Sequence, residues 1–252
     1  MKKNYELEYY DETGNWNFDE FEIETEYLTK WDLFEELQKN VGKDSRILDL
    51  GTGGGEKLLK YFPDCLEIVG TDLSKEMIKT AKNNLKKSKR NNIIFRVMDN
   101  LKMDVPDNYF DIVVARHTVT DPKQIYKCLR KNGILLIEGI DKYDCYSLKR
   151  LFGGGQGYFD SKPISIVDYG NVLYAGFSDV ELIPIYEREY FKNKKLFINF
   201  LKKVPILYDF NEVKKTFSFH DEKLLNQYIS NNTFQGKIFL PRVLYGIIAR
   251  KK

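Results

Sequence analysis

A glycine-rich segment directly after a short apolar run constrains the fold more than any other part of the sequence. The run Arg46–Leu50 predicts a β-strand, and Gly51-Thr52-Gly53-Gly54-Gly55 follows at once. Glycines at 51, 53 and 55 permit a tight turn and let backbone N–H groups come close to a ligand. The helix predicted near Glu56–Tyr61 adds a partial positive charge at its N-terminus. This order of elements predicts a ligand-binding loop at the edge of a parallel sheet.

Strands and helices alternate over residues 46–140, which favours a parallel sheet covered on both faces. Right-handed crossovers make such a sheet doubly wound. The further predicted strands are Leu66–Thr71, Asn92–Val97, Tyr109–Ala115 and Ile134–Gly139. The predicted helices of this region are Lys75–Lys87, with Ser74 as N-cap, and one that opens at Asp121-Pro122 and ends at Asn132-Gly133.

Outside this region the pattern is less regular. Helical spacing of apolar residues predicts an N-terminal helix over about 21–38. Helices are also predicted at Ile164–Phe177, Leu196–Val204 and Lys223–Ser230. Two extended segments, Val180–Phe191 and Val243–Ala249, are expected to pair as an antiparallel edge.

We therefore predict an α/β, doubly wound, Rossmann-like fold. It has a seven-stranded, mostly parallel sheet with an antiparallel last strand, an N-terminal helix and a C-terminal helical cap insertion. The prediction is one domain over residues 1–252, with a core at about 41–140 plus strands near 179–191 and 241–251. The cap elements are expected at about 1–40, 141–178 and 192–240.

Composition excludes several classes of protein. Lys plus Arg total 40 and Asp plus Glu total 37, a net charge of +3 that is too small to indicate a nucleic-acid protein by itself. No apolar run approaches the roughly 18 residues of a membrane-spanning helix, and no signal peptide is recognisable. Three cysteines without CxxC spacing argue against disulfides, and no metal site is expected. We expect a cytoplasmic protein.

The charges are unevenly distributed along the chain. Residues 1–40 hold 12 acidic and 4 basic side chains, whereas residues 191–252 hold 13 basic and 4 acidic ones. Either the two ends form solvated faces that attract each other, or the basic region contacts an acidic substrate or an RNA backbone.

A second acidic residue indicates the kind of ligand. Asp72 ends the second strand 17 residues after Gly55, where a carboxylate can accept the hydroxyls of a ribose. A dinucleotide fingerprint reads Gly-x-Gly-x-x-Gly, but here Asp49 precedes glycines at alternate positions. The segment resembles motif I of the class I S-adenosylmethionine-dependent methyltransferases. A NAD-type cofactor and a purely structural turn are the alternatives.

The resemblance continues over almost 100 residues, and the closest match is the subgroup of quinone C-methyltransferases and other small-molecule enzymes. It implies that Asp72 holds the ribose, that Leu73 and Met77 touch the adenine, and that Asp99 receives the adenine amino group. The remaining cofactor-binding candidates lie in the same matched segments and are Asp49, Gly51, Thr52, Gly53, Gly55, Asn100 and Arg116.

The acceptor is expected beyond the carboxyl ends of the fourth and fifth strands, because ligands of doubly wound sheets lie there. The candidates at this edge are Arg116, His117, Asp121, Glu138 and Asp141. His117 is either a general base or a residue that hydrogen-bonds a loop. Arg116 either binds an acidic substrate or pairs with Asp99 or Asp121.

The predicted function is methyl transfer from S-adenosylmethionine to a small molecule, with S-adenosylhomocysteine as product. The segment Arg116–Val119 differs from the Asp/Asn-Pro-Pro-aromatic sequence found at this place in methylases of nucleic-acid amines. Two alternatives remain: a methyltransferase of rRNA or tRNA that uses the basic C-terminal region, and a non-catalytic S-adenosylmethionine-binding protein.

Overall fold

The computed structural model describes residues 18–208 and 222–252, together with Tyr9 and Glu12. Nine strands are present in this part of the chain: β1 Glu24–Tyr27, β2 Arg46–Leu50, β3 Glu67–Asp72, β4 Ile93–Val97, β5 Phe110–Arg116, β6 Leu129–Ile140, β7 Ser178–Phe191, β8 Thr233–Phe234 and β9 Lys237–Arg250. The helices are α1 Leu33–Asn40, α2 Glu56–Tyr61, α3 Lys75–Lys87, α4 Pro122–Cys128, α5 Tyr146–Phe152, α6 Ile164–Tyr174, α7 Lys194–Lys203 and α8 Glu222–Asn231.

The strands form one mixed sheet in the order β1-β7-β9-β6-β5-β2-β3-β4, and β8 pairs with β9. Strands β2 to β6 are mutually parallel, whereas β9 is antiparallel to both β6 and β7. This confirms the doubly wound, mostly parallel fold with an antiparallel last strand, but the sheet has nine strands in the described part of the chain and not the predicted seven, because β1 and β8 also pair with it. The predicted pairing of the two late strands is also confirmed, but β9 lies inside the sheet and β1 forms the edge beside β7.

The predicted N-terminal helix over 21–38 is wrong in its first half. Residues Glu24–Tyr27 form strand β1, and α1 begins only at Leu33. The carboxylate of Asp32 caps this helix by accepting hydrogen bonds from two backbone N–H groups at 2.9 and 2.8 Å. Tyr27, which lies within the predicted helix, is 68% exposed on the edge strand.

The predicted helix end at Asn132-Gly133 is also wrong. Helix α4 ends at Cys128, and both residues lie within β6. Asn132 has a left-handed backbone (φ 64°), and its N–H donates to the Lys251 carbonyl. Asn132 and Gly133 therefore mark an irregularity within strand β6 and not the end of a helix.

The sheet is covered on both faces by helices. One face packs under α4 and α6, and the other packs under α1, α2 and α3. A third apolar cluster joins α5, α7 and α8 to the ends of β7 and β9. The single-domain assignment and the role of this third cluster as a cap over an acceptor stay predictions.

Ion pairs join the acidic N-terminal segment to the basic C-terminal region. They are Lys203–Glu20, Lys192–Glu22 and Lys237–Glu24, and Arg188, just before the basic region, pairs with Glu26. The interpretation of the two segments as faces that attract each other is thus confirmed. No helix in the described part of the chain is long and apolar enough to cross a bilayer.

Candidate functional site

The glycine loop takes the backbone conformation that its sequence predicts. Gly51, Gly53 and Gly55 have φ values of 74°, 57° and 76°, a region that L-residues rarely adopt. A Cβ on Gly51 would lie 2.6 Å from the Cβ of Thr118, so the segment after β5 packs directly against the loop. The glycines thus permit both the turn and the close approach of a neighbouring segment.

Asp72 braces this loop from the end of β3. One carboxylate oxygen accepts the Gly53 N–H and the other accepts the Ser74 N–H, each at 2.9 Å. The backbone carbonyl of Thr71 accepts two further N–H groups of the loop, from Gly51 and Thr52, at 2.9 and 2.8 Å. The carboxylate that the sequence predicts to hold the ribose thus also holds the loop in place.

Asp49 lies buried below the loop, in the last part of β2. Burial raises the pKa of its carboxyl to about 7, although the Thr52 hydroxyl and the Arg116 guanidinium act to lower it. The nearby carboxylate of Asp72 adds to the rise. Asp49 is therefore poised to change charge near neutral pH, and a cationic ligand would favour its ionised form.

Of the two apolar residues predicted to touch the adenine, one is buried and the other is accessible. Met77 is buried, whereas Leu73 is 45% exposed. Asp99 accepts the Leu101 N–H at 2.8 Å and shapes the turn after β4. Asn100 donates from Nδ2 to the Thr118 hydroxyl at 3.0 Å, which ties the segments after β4 and β5 together.

Sequence reasoning missed two accessible apolar residues at this edge. Leu101 is 50% exposed and Val119 is 60% exposed. Each lies only a few residues after a parallel strand, and this position could have identified both residues from the sequence. Like Leu73, they are exposed apolar side chains that follow parallel strands of the sheet.

On the acceptor side, Arg116 is paired with Glu138. Its Nε donates to Glu138 Oε1 at 2.8 Å, so the predicted pairing with Asp99 or Asp121 is wrong. Asp121 instead caps α4 by accepting N–H groups of its first turn. Asp141 is buried at the end of β6, and its Oδ1 has no hydrogen-bond partner among the described residues.

His117 shares the same carboxylate oxygen. Its Nε2 lies 3.1 Å from Glu138 Oε1, and its backbone has a φ of 51°. Burial and the Arg116 charge lower the pKa of His117, against the opposing effect of Glu138. Burial also acts to raise the pKa of Glu138, but Arg116 and His117 outweigh it and bring the value to about 2.

A second group of charges was not found from the sequence. Arg242 of β9 is buried; it donates from Nε to Asp144 Oδ1 at 2.9 Å and from Nη1 to Glu189 Oε1 at 2.7 Å. Glu187, two residues before Glu189 on β7, is half-buried. The alternation of acidic residues along this strand was the signal, because residues two apart share one face.

Comparison with known proteins agrees with this geometry. Residues 42–159, just under half of the chain, match the family model of a methyltransferase domain. The uncharacterized methyltransferase YcgJ of Bacillus subtilis is 28% identical over 88 residues, which are 35% of each chain. The ribosomal protein L11 methyltransferase of Alkaliphilus oremlandii is 32% identical over 117 residues, 44% of this chain and 37% of that one. The chain thus matches little more than a third of the length of these relatives.

Solved structures show the same fold. The crystal structure of YcgJ has a TM-score of 0.58 at 16% identity and covers 87% of this chain and 97% of that one. Phosphoethanolamine N-methyltransferase 2 of Haemonchus contortus, solved with S-adenosylmethionine, has a TM-score of 0.53 at 19% identity, over 99% of this chain and 57% of that one.

The fold is the Rossmann-like fold of these solved methyltransferases, and residues 42–159 match the family model of a methyltransferase domain.

Proposed function

We propose that the protein transfers the methyl group of S-adenosylmethionine to a nucleophilic atom of a small molecule. The observation that carries this proposal is the loop of Gly51–Gly55 braced by Asp72 at the carboxyl edge of the sheet, directly beside the cluster of Arg116, His117 and Glu138. The loop with Asp72 suits the cofactor, and the neighbouring charged cluster suits an acceptor next to it. The quinone C-methyltransferase-like subgroup stays a prediction within this proposal.

The residues fit the cofactor in three parts. The Asp49 carboxylate beneath the glycine loop suits its amino-acid end, Asp72 suits the ribose, and Asp99 with Leu101 suits the adenine. When bound, the sulfonium supplies the electrophilic methyl group. The protein has to hold the acceptor atom at about 3–3.5 Å from the methyl carbon and to exclude water.

His117 is the proposed general base. Its Nε2 lies 3.1 Å from Glu138 Oε1 without forming a hydrogen bond among the described residues, so the contact does not fix the tautomer of the neutral ring. The lowered pKa of His117 keeps one ring nitrogen unprotonated at neutral pH and able to accept a proton from the acceptor.

Cofactor binding is expected to depend on pH through Asp49. Its pKa of about 7 means that the carboxyl is half protonated at that pH, and a neutral carboxyl does not attract the ammonium group of the cofactor. The affinity for S-adenosylhomocysteine should therefore weaken as pH falls, by up to about tenfold per pH unit below 7. Calorimetric titration at pH 8, 6 and 5 measures this, with Asp49→Asn as control. An equally steep dependence in Asp49→Asn would contradict this role.

Two of the four lysines that the RNA alternative would use are already engaged. Lys194 contacts Glu222 and Asn226, and Lys203 pairs with Glu20. These contacts support a small-molecule acceptor over rRNA or tRNA.

The test is to incubate the protein with methyl-labelled S-adenosylmethionine and a deproteinised cell extract, divided into a fraction of small molecules and a fraction of total RNA. We expect label to enter the small-molecule fraction. Label in RNA, abolished by neutralising Lys194, Lys195, Lys202 and Lys203, would establish the RNA alternative. Cofactor binding without transfer to either fraction would support the non-catalytic one.

A further inference from the structure

The carboxylate of Glu187 occupies the middle of a row of three residues across the sheet. In the antiparallel pairing, Glu187 lies directly opposite Tyr27 of β1 on one side and Arg242 of β9 on the other. Directly opposite residues project to the same face of the sheet and have neighbouring Cβ atoms. Glu187 is thus flanked by an aromatic ring and a guanidinium group.

The guanidinium group of Arg242, which lies beside Glu187, already pairs with two other carboxylates. Arg242 donates to Asp144 at 2.9 Å and to Glu189 at 2.7 Å. Arg116 is likewise paired, with its Nε 2.8 Å from Glu138 Oε1. The side chain of Glu187 makes no hydrogen bond or ion pair with the residues that the structure describes.

A second unfilled acceptor lies on the same face, two residues further along β7. The Oε2 atom of Glu189 is fully buried and has no hydrogen-bond partner in the described part of the chain, although Oε1 accepts from Arg242. A buried carboxylate oxygen without a donor is costly, so such atoms are normally satisfied by protein, water or ligand. Glu187 and Glu189 thus present adjacent unused acceptors.

Charged groups of the acceptor cluster act on Glu187 through space. Burial raises the pKa of Glu187 to about 6, and Glu138 and Glu189 add to the rise while Arg242 and Arg116 oppose it. The groups that act on its charge therefore include both members of the Arg116–Glu138 pair. A positive group bound there would remove the cost of the unpaired carboxylate.

We propose that Glu187 binds a protonated amine of the methyl acceptor, so that the substrate class is a small cationic amine. This inference rests on the proposed function. An ammonium group, a donor of three hydrogen bonds, matches the unpaired carboxylate of Glu187. The ring of Tyr27, which is 68% exposed, adds an aromatic surface at which a cation is attracted.

The test compares three probes that share one ring and differ in charge: benzylammonium, benzyl alcohol and benzoate. Each is titrated by calorimetry into the 252-residue chain saturated with S-adenosylhomocysteine. We expect benzylammonium to bind at least tenfold more tightly than the other two. The variant Glu187→Gln should lose that preference, and Glu181→Gln, an exposed position on the same strand, should keep it.

Equal binding of the three probes, or an unchanged preference in Glu187→Gln, would overturn the proposal. A loss of S-adenosylhomocysteine affinity in Glu187→Gln as large as its loss of benzylammonium affinity would also overturn it, because the carboxylate would then serve the cofactor. If the wild type binds benzylammonium selectively but no S-adenosylhomocysteine, the cation site stands and the proposed function fails.

Discussion

Replacing Asp72 by alanine is expected to weaken binding of S-adenosylhomocysteine by about 100-fold or more. The carboxylate is the expected acceptor for the ribose hydroxyls, and hydrogen bonds to a charged group contribute about 1.5–3 kcal/mol each. The same carboxylate also accepts the Gly53 and Ser74 N–H groups at 2.9 Å, so its loss releases the loop. Isothermal titration calorimetry measures the affinity directly.

The fold of the Asp72→Ala protein is expected to persist, because β3 is held by its neighbours β2 and β4 over its full length. Circular dichroism checks this. Asp107→Ala is a suitable control, since Asp107 is exposed and precedes β5 at the opposite edge of the sheet. Unchanged affinity in Asp72→Ala would refute the assignment of the site.

The largest effect on stability is expected from Asp144→Ala. Asp144 Oδ1 accepts both the Arg242 guanidinium and the Val243 N–H at 2.9 Å, and the side chains of Asp144 and Arg242 are almost fully buried. Removing one partner of a buried pair leaves an uncompensated charge, which costs about 3–5 kcal/mol. For a protein of this size the melting temperature should fall by roughly 10 °C. Urea denaturation measures the change in the free energy of unfolding.

Glu76→Ala is the matched control for Asp144→Ala. Glu76 pairs with Lys79 on the surface of α3, where both side chains are mostly exposed, and such pairs contribute at most about 1 kcal/mol. A loss below about 1 kcal/mol in Asp144→Ala would show that Glu189 alone compensates the charge of Arg242.

The elements around the cofactor site were predictable because local sequence determines them. The strand Arg46–Leu50 has the same bounds in sequence and structure, and the left-handed glycines follow it as expected. Ser74 caps α3 and Asp121 caps α4, in agreement with their positions before each helix. A turn, a cap and a buried strand each depend on residues close together in the chain.

The errors concern features that depend on distant parts of the chain. Strand β1 exists because β7 provides its partner, so the apolar spacing around Tyr27 gave a false helical signal. Likewise, Arg116 selected Glu138 from the neighbouring strand β6, a choice that parallel pairing sets and sequence spacing does not. The network of Asp144, Glu189 and Arg242 joins residues up to 98 positions apart and could not be seen from local pattern.

The central claim is that the loop of Gly51–Gly55 with Asp72 holds S-adenosylmethionine. The most direct measurement is a thermal-shift titration with S-adenosylmethionine, S-adenosylhomocysteine and NAD in parallel. A ligand at about 100 times its dissociation constant adds about 2.7 kcal/mol to the free energy of unfolding, which raises the melting temperature by several degrees. We predict such a rise with both adenosyl ligands and none with NAD; a rise with NAD alone would contradict the account.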